Sequence, residues 1–384
     1  MTDKHSVILE FGHRYTKCGF VQELAPRAII RSVVASSHGK EVELASLSGS
    51  QLDQAFKTII QTIYFRYLGV NYKERKVILI ETLFTQNNVR QSLINVLYQH
   101  FEVPSLLIVP HHLMTLVPYM VSTGIVLDIG WKEAMAVPVI EGITLVNSVK
   151  YTPLGGKAIN ERIHDELIDR KAILRKNGVE KVYEESDRFD DFVLENIKVK
   201  TCFIAPFERG QLMLEHKAGL KEAPDNTPKD VYFHVDQNNT LLIPGGLRES
   251  AGEILFELYG EEETVATLIL EVLLSCPIDY RKTLASNLII TGGTSMLPGF
   301  KHRLKMELLF LVKKIEKYSN NIYIDKFMFH PPLCKENYIA WLGASIFGST
   351  DVVAMRAISR DTYLKTKGCF VDWSEWRPQP LNKI

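Results

Sequence analysis

One pattern occurs twice, far apart in the chain, and it restricts the fold more than any other feature. Val7-Ile8-Leu9-Glu10-Phe11-Gly12 and Ile125-Val126-Leu127-Asp128-Ile129-Gly130 are each an apolar β-type run that ends in acid-x-Gly. A second β-type run follows each of them, Thr16-Lys17-Cys18-Gly19-Phe20 and Ala134-Met135-Ala136-Val137-Pro138-Val139, so both read as strand, tight turn, strand. Two further units fit an α/β plan. The run Val77-Ile78-Leu79-Ile80 leads into a helical pattern over 87–100 with Val89, Leu93, Val96 and Leu97 on one face, and Leu106-Leu107-Ile108-Val109 reads as the next strand. Leu288-Ile289-Ile290 leads through Thr291-Gly292-Gly293-Thr294-Ser295 into a helix over 299–313. The charged stretch 183–229, with its turn at Ala223-Pro224-Asp225-Asn226, reads as a peripheral subdomain. The expected architecture is α/β, with two related lobes facing a cleft.

Size agrees, because 384 residues exceed what one core usually organises. Lysine plus arginine equals aspartate plus glutamate at 45 each, so no bulk field draws in nucleic acid or anionic lipid. Five cysteines, with no C-x-x-C pair and no histidine at zinc spacing, read as reduced thiols of an intracellular protein. The N-terminus lacks an apolar leader core. The most apolar stretch, 106–121, is broken by His111, His112 and two prolines, which excludes a membrane span and membrane insertion.

Two acid-x-Gly hairpins suit a nucleoside triphosphate. Glycines admit backbone N–H groups to phosphates, and carboxylates hold hydrated magnesium. On this reading Glu10 and Asp128 are the metal-side acids, acting through water. Lys17 reaches the phosphate charge, and Gly12, Gly130, Gly292, Gly293, Thr294 and Ser295 form the cradle.

The order of these segments resembles the actin family. The resemblance is carried by Lys17-Cys18-Gly19-Phe20 with Ala25-Pro26-Arg27, by Thr123-Gly124-Ile125-Val126-Leu127-Asp128, by Gly292-Gly293-Thr294-Ser295-Met296-Leu297-Pro298-Gly299 and by Trp341-Leu342-Gly343-Ala344-Ser345. It implies an actin-like, duplicated ribonuclease-H-like fold of two lobes around a nucleotide cleft. Subdomain 1 would comprise 1–30, 57–118 and 338–384, a truncated subdomain 2 would be 31–56, subdomain 3 would be 119–154 and 261–337, and subdomain 4 would be 155–260. It also adds Lys198, Gly156 and His13 to the nucleotide-binding candidates, and ATP or ADP with magnesium as the cofactor.

The departures from the family are informative. Glu10-Phe11-Gly12-His13-Arg14 lacks the serine and second glycine of the first phosphate loop, and Asp128-Ile129-Gly130-Trp131-Lys132 lacks an acid and a glycine of the second. His111 stands where the family carries the water-orienting glutamine, Met135 where it carries the assisting histidine, and Val199 where it carries an acid beside Lys198. His13, Arg14 and Trp131 either crowd the γ-phosphate or donate to it. Phosphoryl transfer depends on positioning and charge stabilisation, so nucleotide is expected to be held without turnover. His111-His112 reads as structural, lacking partners in the sequence.

The interval 27–81 is too short for the family's full second subdomain, including the loop that inserts into the next filament subunit. This, with Tyr15-Thr16-Lys17-Cys18-Gly19-Phe20 and Leu154-Gly155-Gly156-Lys157, is similar to the actin-related subunit at the pointed end of dynactin. The resemblance implies a cytoplasmic, non-catalytic cap on the pointed end of actin or of a filament-forming actin-related protein. Such a cap contacts the other pointed-end subunits of dynactin and, indirectly, dynein and cargo adaptors. It binds no nucleic acid and does not polymerise with itself. The alternatives are a nuclear actin-related subunit of a chromatin-remodelling complex, or a slow ATPase. Glu261-Glu262-Glu263 reads as a solvated helix-start cluster, and the tail around Trp373 and Trp376 as a docking candidate.

Overall fold

The computed structural model describes residues 5–35, 41–257 and 263–366. Cys369, Glu261, Glu262 and the tryptophan-bearing tail lie outside the described residues. The chain divides into two compact units, Met1–Val126 with Val139–Val146 and His330–Ile384, and Leu127–Pro138 with Asn147–Phe329.

The first unit is organised by a six-stranded sheet. β1 (Val7–Phe11) and β2 (Tyr15–Phe20) form an antiparallel hairpin with Glu10 opposite Lys17, and β3 (Ala28–Arg31) pairs with β2. A small antiparallel ribbon follows, β4 (Val33–Ala35) with β5 (Glu41–Glu43). β6 (Val77–Glu81) and β7 (Ser105–Pro110) extend the sheet in parallel from β1, and the short strand Ile358–Ser359 pairs antiparallel with β7.

Both faces of this sheet are covered, and strand alternation decides which side chain goes where. Val7, Leu9, Leu79 and Ile108 pack with Phe56 and Ile60 of α1 (Gly49–Thr62) and with Leu93 of α2 (Asn87–Asn95). Ile8, Ile78, Ile80 and Val109 pack on the other side with Met114 of α3 (His111–Leu116) and with Trp341 and Ala344 of the helix Ile339–Gly348. Each such apolar side chain, fully buried, contributes roughly 1.5–3 kcal/mol. A one-residue slip of β1 would exchange the two sets and lose both.

The helical pattern expected over 87–100 is present, but its last turn, Val96–His100, is a wide π turn closed by Phe101 N–H to Val96 O at 3.1 Å. Widening lets the consecutive residues Val96, Leu97 and Tyr98 all be buried. α1 ends likewise in Ile63–Leu68, where Gly69 at φ +62 closes the turn on Tyr64 O.

The five-stranded sheet is built on β8 (Gly124–Ile129) and β9 (Ala134–Ile140), whose inner residues 127–138 count with the second unit. β10 (Ile143–Thr144) and β11 (Lys150–Thr152) each pair with β9. In the second unit, α4 (Gly156–Asp169) precedes a four-stranded antiparallel sheet, β13-β12-β15-β14. Its strands are β12 (Ile173–Lys176), β13 (Val179–Val182), β14 (Val231–His234) and β15 (Asn239–Ile243). The expected peripheral stretch supplies α5 (Asp191–Thr201) and α6 (Phe207–Lys217). Next come α7 (Gly245–Ser250), α8 (Val265–Ser275), whose Thr264 and Thr267 form a capping box, and α9 (Ile278–Ala285). β16 (Leu288–Thr291), beside β8, and α10 (Phe300–Lys314) are the expected strand, glycine turn and helix.

α10 carries a buried cation. Arg303 donates to both carboxylate oxygens of Glu253, at 2.7 and 2.9 Å, and to Glu307 at 3.1 Å, and it is fully buried. Burial pushes the Glu253 carboxyl up to about 7, against the pull of Arg303.

Candidate functional site

In the first unit the β1–β2 turn closes with the Gly12 amide donating to Tyr15 O at 3.0 Å. A Cβ on Gly12 would stand 2.7 Å from that oxygen, which is why the turn needs glycine. Ser32 Oγ donates to Gly12 O at 2.8 Å and braces the turn from β3's side. Glu10 is buried, and Lys17, opposite it across the hairpin, forms an ion pair with Glu10 Oε1. His111 Nε2 lies 3.9 Å from the same oxygen. The lysine expected to face phosphate is thus matched to the acid expected to face the metal.

The other oxygen, Glu10 Oε2, is buried with no hydrogen-bond partner in the protein. An unsatisfied buried carboxylate oxygen is costly, and the water shell of a divalent cation would satisfy it. On this observation the first unit fits a hydrated magnesium ion.

Arg14 points elsewhere. Its Nη1 donates to Glu43 Oε1 of β5 at 3.0 Å, so this guanidinium ties the hairpin to the β4–β5 ribbon, while His13 is exposed. Of the three residues expected to crowd the γ-phosphate or donate to it, Arg14 instead ties parts of the fold together.

The two adjacent histidines do have partners, contrary to expectation. His112 Nε2 is 2.7 Å from Thr144 Oγ1, and burial, then the neighbouring His111, lowers its pKa to about 3. It is a neutral core imidazole, and its partner is invisible in sequence because Thr144 lies on a different strand.

In the second unit four expected residues meet around one turn. Gly130 N–H closes the β8–β9 turn on Glu133 O at 2.9 Å, and Gly130 O then accepts both the Gly156 amide at 3.0 Å and the Thr294 hydroxyl at 2.8 Å. Lys157 N–H donates to Trp131 O at 2.8 Å. The start of α4 is thereby pinned to the hairpin. Gly292, at φ +97, lies so close that a Cβ there would be 2.2 Å from Ile129 O and 2.7 Å from Asp128 Oδ1. At Gly293 a Cβ would meet open space. Only the first glycine of the pair is therefore demanded by packing. Ser295 Oγ donates to Gly292 O at 2.8 Å.

Lys198, carried by α5, is buried. Its Nζ donates to Gly156 O at 2.9 Å and Asn160 Oδ1 at 3.0 Å and lies 5.0 Å from the Trp131 ring centre. Trp131, in place of the family's acid, packs against Gly156, where a Cβ would come within 3.1 Å of its Cε3. The hydroxyls of Thr294 and Ser295 and the ammonium of Lys198 brace the backbone. Burial, then the charge of Asp128, raises the Glu133 carboxyl above the usual carboxylate range. Met135 is buried in β9 opposite Tyr151 and offers water no polar atom. Sequence reasoning missed Asn160 and Glu133. Asn160 was findable, one helical turn after Gly156 and so on the same face as the glycine it supports.

The first unit also holds an apolar groove of about 770 Å³, lined by Leu106, Val109, Leu113, Val117, Phe347 and Ile358 among others. Met120, at φ +53 and 94% exposed, stands on its border. Among the described residues no cluster of three or more histidine, cysteine or acidic side chains is placed to hold a metal by itself, and no helix is long and apolar enough to cross a membrane.

Comparison with known proteins agrees with this geometry. The family model described as actin matches residues 52–371. Actin-related protein 10 of Dictyostelium discoideum is 26% identical over 430 aligned residues, covering 96% of this chain and 88% of that protein. Putative actin-29 of the same organism is 24% identical over 396 aligned residues, covering 94% of each.

Proposed function

The chain belongs to the actin family, and from that premise we propose that it is a non-catalytic structural subunit capping the pointed end of the actin-like filament of dynactin. In this role it joins the filament to the other pointed-end subunits, in the cytoplasm, and supports dynein-driven transport along microtubules.

The observation that carries the reading is an asymmetry. The first unit has a well-formed apolar groove, large enough to receive a neighbour's side chains. Between β3 and α1, by contrast, the described residues form only the β4–β5 ribbon and one helical turn, Leu44–Ser46. Head-to-tail growth needs two complementary surfaces on every subunit, and a subunit with one of them ends the array. The similarity to a protein named actin-related protein 10 supports the same assignment.

Nucleotide, in this reading, is a structural ligand. In the first unit Glu10 would face magnesium through water and the Gly12 backbone would approach phosphate; in the second unit Asp128 would do the former and the backbone at Gly130, Gly156, Gly292 and Gly293 the latter. Met135 is buried and apolar, and His111, 3.9 Å from Glu10 Oε1, stands in place of the water-orienting glutamine, which supports a nucleotide held without turnover.

The test is electron microscopy of dynactin containing a tagged copy of this chain, alongside sedimentation of the pure protein in magnesium and salt. One copy at the pointed end and no self-assembly are expected. Labels along the filament, or filaments of the pure protein, would refute the assignment.

A further inference from the structure

The apolar groove of the first unit has a single charge on its wall. Among the described residues that line its 770 Å³, only Arg356 is charged. It closes the short helix Val352–Arg356, is exposed, and has no ion pair among the described residues. Around it the wall is made of apolar side chains such as Leu106, Leu113, Val117, Phe347 and Ile358. An open apolar surface with one unmatched guanidinium at its side suits an occupant that brings both aromatic area and a carboxylate.

The sequence beyond the described residues has that composition. Asp372-Trp373-Ser374-Glu375-Trp376 sets two indoles among two carboxylates. The family model matches residues 52–371, so this run lies past the part of the chain shared with it. The chain also departs beside the groove. Ile358, on the groove wall, pairs with Leu106, and the helix Arg360–Thr366 follows at once, held by Tyr363, which stacks on Tyr98 at 4.7 Å and donates to Asn95 at 2.8 Å. That helix rises about 10 Å. Trp373 is seven positions past Thr366 in the sequence. Seven extended residues reach about 23 Å, so the first indole can return to the groove with chain to spare.

We propose that segment 372–376 of the same chain covers this groove in the free protein, its tryptophans against the apolar wall and an acid, Asp372 or Glu375, on Arg356. Tethering decides the occupant. A segment joined by a short linker meets its site at an effective concentration on the order of millimolar, which a free partner must exceed in concentration or outbid in contacts. Two indoles would cover roughly 300–500 Å² between them, enough to close a groove of this size. One consequence rests on the capping reading given above: the segment and a filament end compete for the same surface, so the groove is uncovered only when a neighbour with more contacts displaces the tail.

The test uses the full chain. Trp131 and Trp341 are buried, so quenching of tryptophan fluorescence by acrylamide reports on Trp373 and Trp376. Both should be shielded at every protein concentration. Arg356→Glu, an exposed position, should raise the quenching constant at least twofold, and adding Asp372→Lys with Glu375→Lys should restore shielding. A fluorescein-labelled peptide of residues 367–384 should bind the Trp373→Ser, Trp376→Ser chain at least tenfold more tightly than the unaltered chain, whose groove is already covered. Tail tryptophans quenched as freely as in the peptide would overturn the proposal. So would shielding that fades on dilution, which assigns the tail to a second copy, or shielding indifferent to Arg356→Glu, which places it elsewhere on the body. Equal peptide binding by the two chains would overturn it as well. Every readout is on the isolated chain, so its failure leaves the capping assignment standing, and a copy found away from the pointed end leaves these results standing.

Discussion

Gly210 of α6 faces Arg303 of α10 so closely that a Cβ on the glycine would stand 1.9 Å from the guanidinium Nη1. The arginine has no room to retreat, since Glu253 and Glu307 hold it from other sides and it is fully buried. Gly210→Ala is therefore expected to destabilise the protein by about 2–3 kcal/mol through overpacking. Arg303→Met should cost more, about 3–5 kcal/mol, because it strands two buried carboxylates. Urea midpoints of the two variants check the order, and adding Glu253→Gln and Glu307→Gln to Arg303→Met should recover part of the loss.

The neutral state of His112 makes the fold acid-sensitive. Its pKa is about 3 in the folded protein and near 6.5 when unfolded. The unfolded chain thus binds the extra proton between those values, and stability falls as pH drops from 6.5 toward 3, with a slope approaching 1.4 kcal/mol per pH unit from this group. Glu253 acts in the opposite sense. Its raised pKa means that acidification from about 7 toward 4.5 relieves a penalty. Comparing His112→Asn with the unaltered protein across this range isolates the histidine, and the variant should show the flatter loss on the acid side.

Nucleotide binding should appear as a thermal shift without turnover. Magnesium-ATP at about 100 times its dissociation constant adds about 2.7 kcal/mol of stability to a protein that binds it only when folded. Glu10→Gln and Asp128→Ala should each shrink the rise in melting temperature, and phosphate release should stay at background over hours. A rise that both variants leave intact would remove these carboxylates from the site.

Gly292→Ala should be far worse than Gly293→Ala, although the two glycines are adjacent. Gly292 has φ +97 and a carbonyl 2.2 Å from the position of a Cβ, whereas Gly293 has neither constraint. Calorimetry of both variants should give a large loss for the first and a small change for the second.

What was legible in the sequence was local. The two hairpins, at 7–20 and 124–140, could be read because each places its apolar alternation and its turn glycine within a few residues. The glycine turn before α10 could be read for the same reason. The contacts that give the site its character join distant segments. Arg14 finds Glu43, His112 finds Thr144, and Lys198 finds Gly156 through the packing of α5 on α4. The apolar groove draws Leu106 and Phe347 together from segments far apart in the sequence. No periodicity reports such pairs. The widened helical turns also escaped, since a π turn has the same composition as the α turn it replaces.

The strand Ile358–Ser359 has a consequence for synthesis. It pairs with β7, and Tyr98 donates to Ile358 O at 2.6 Å, so the six-stranded sheet cannot be completed until Ile358 and Ser359 have been made. The second unit is fully encoded by Phe329. At roughly 5–20 residues per second, β7 waits on the ribosome for on the order of ten seconds to a minute with one edge unpaired. An open edge of that kind is a template for pairing with another nascent chain. The second unit, encoded earlier, can fold while the first unit's sheet still has β7 exposed at its edge.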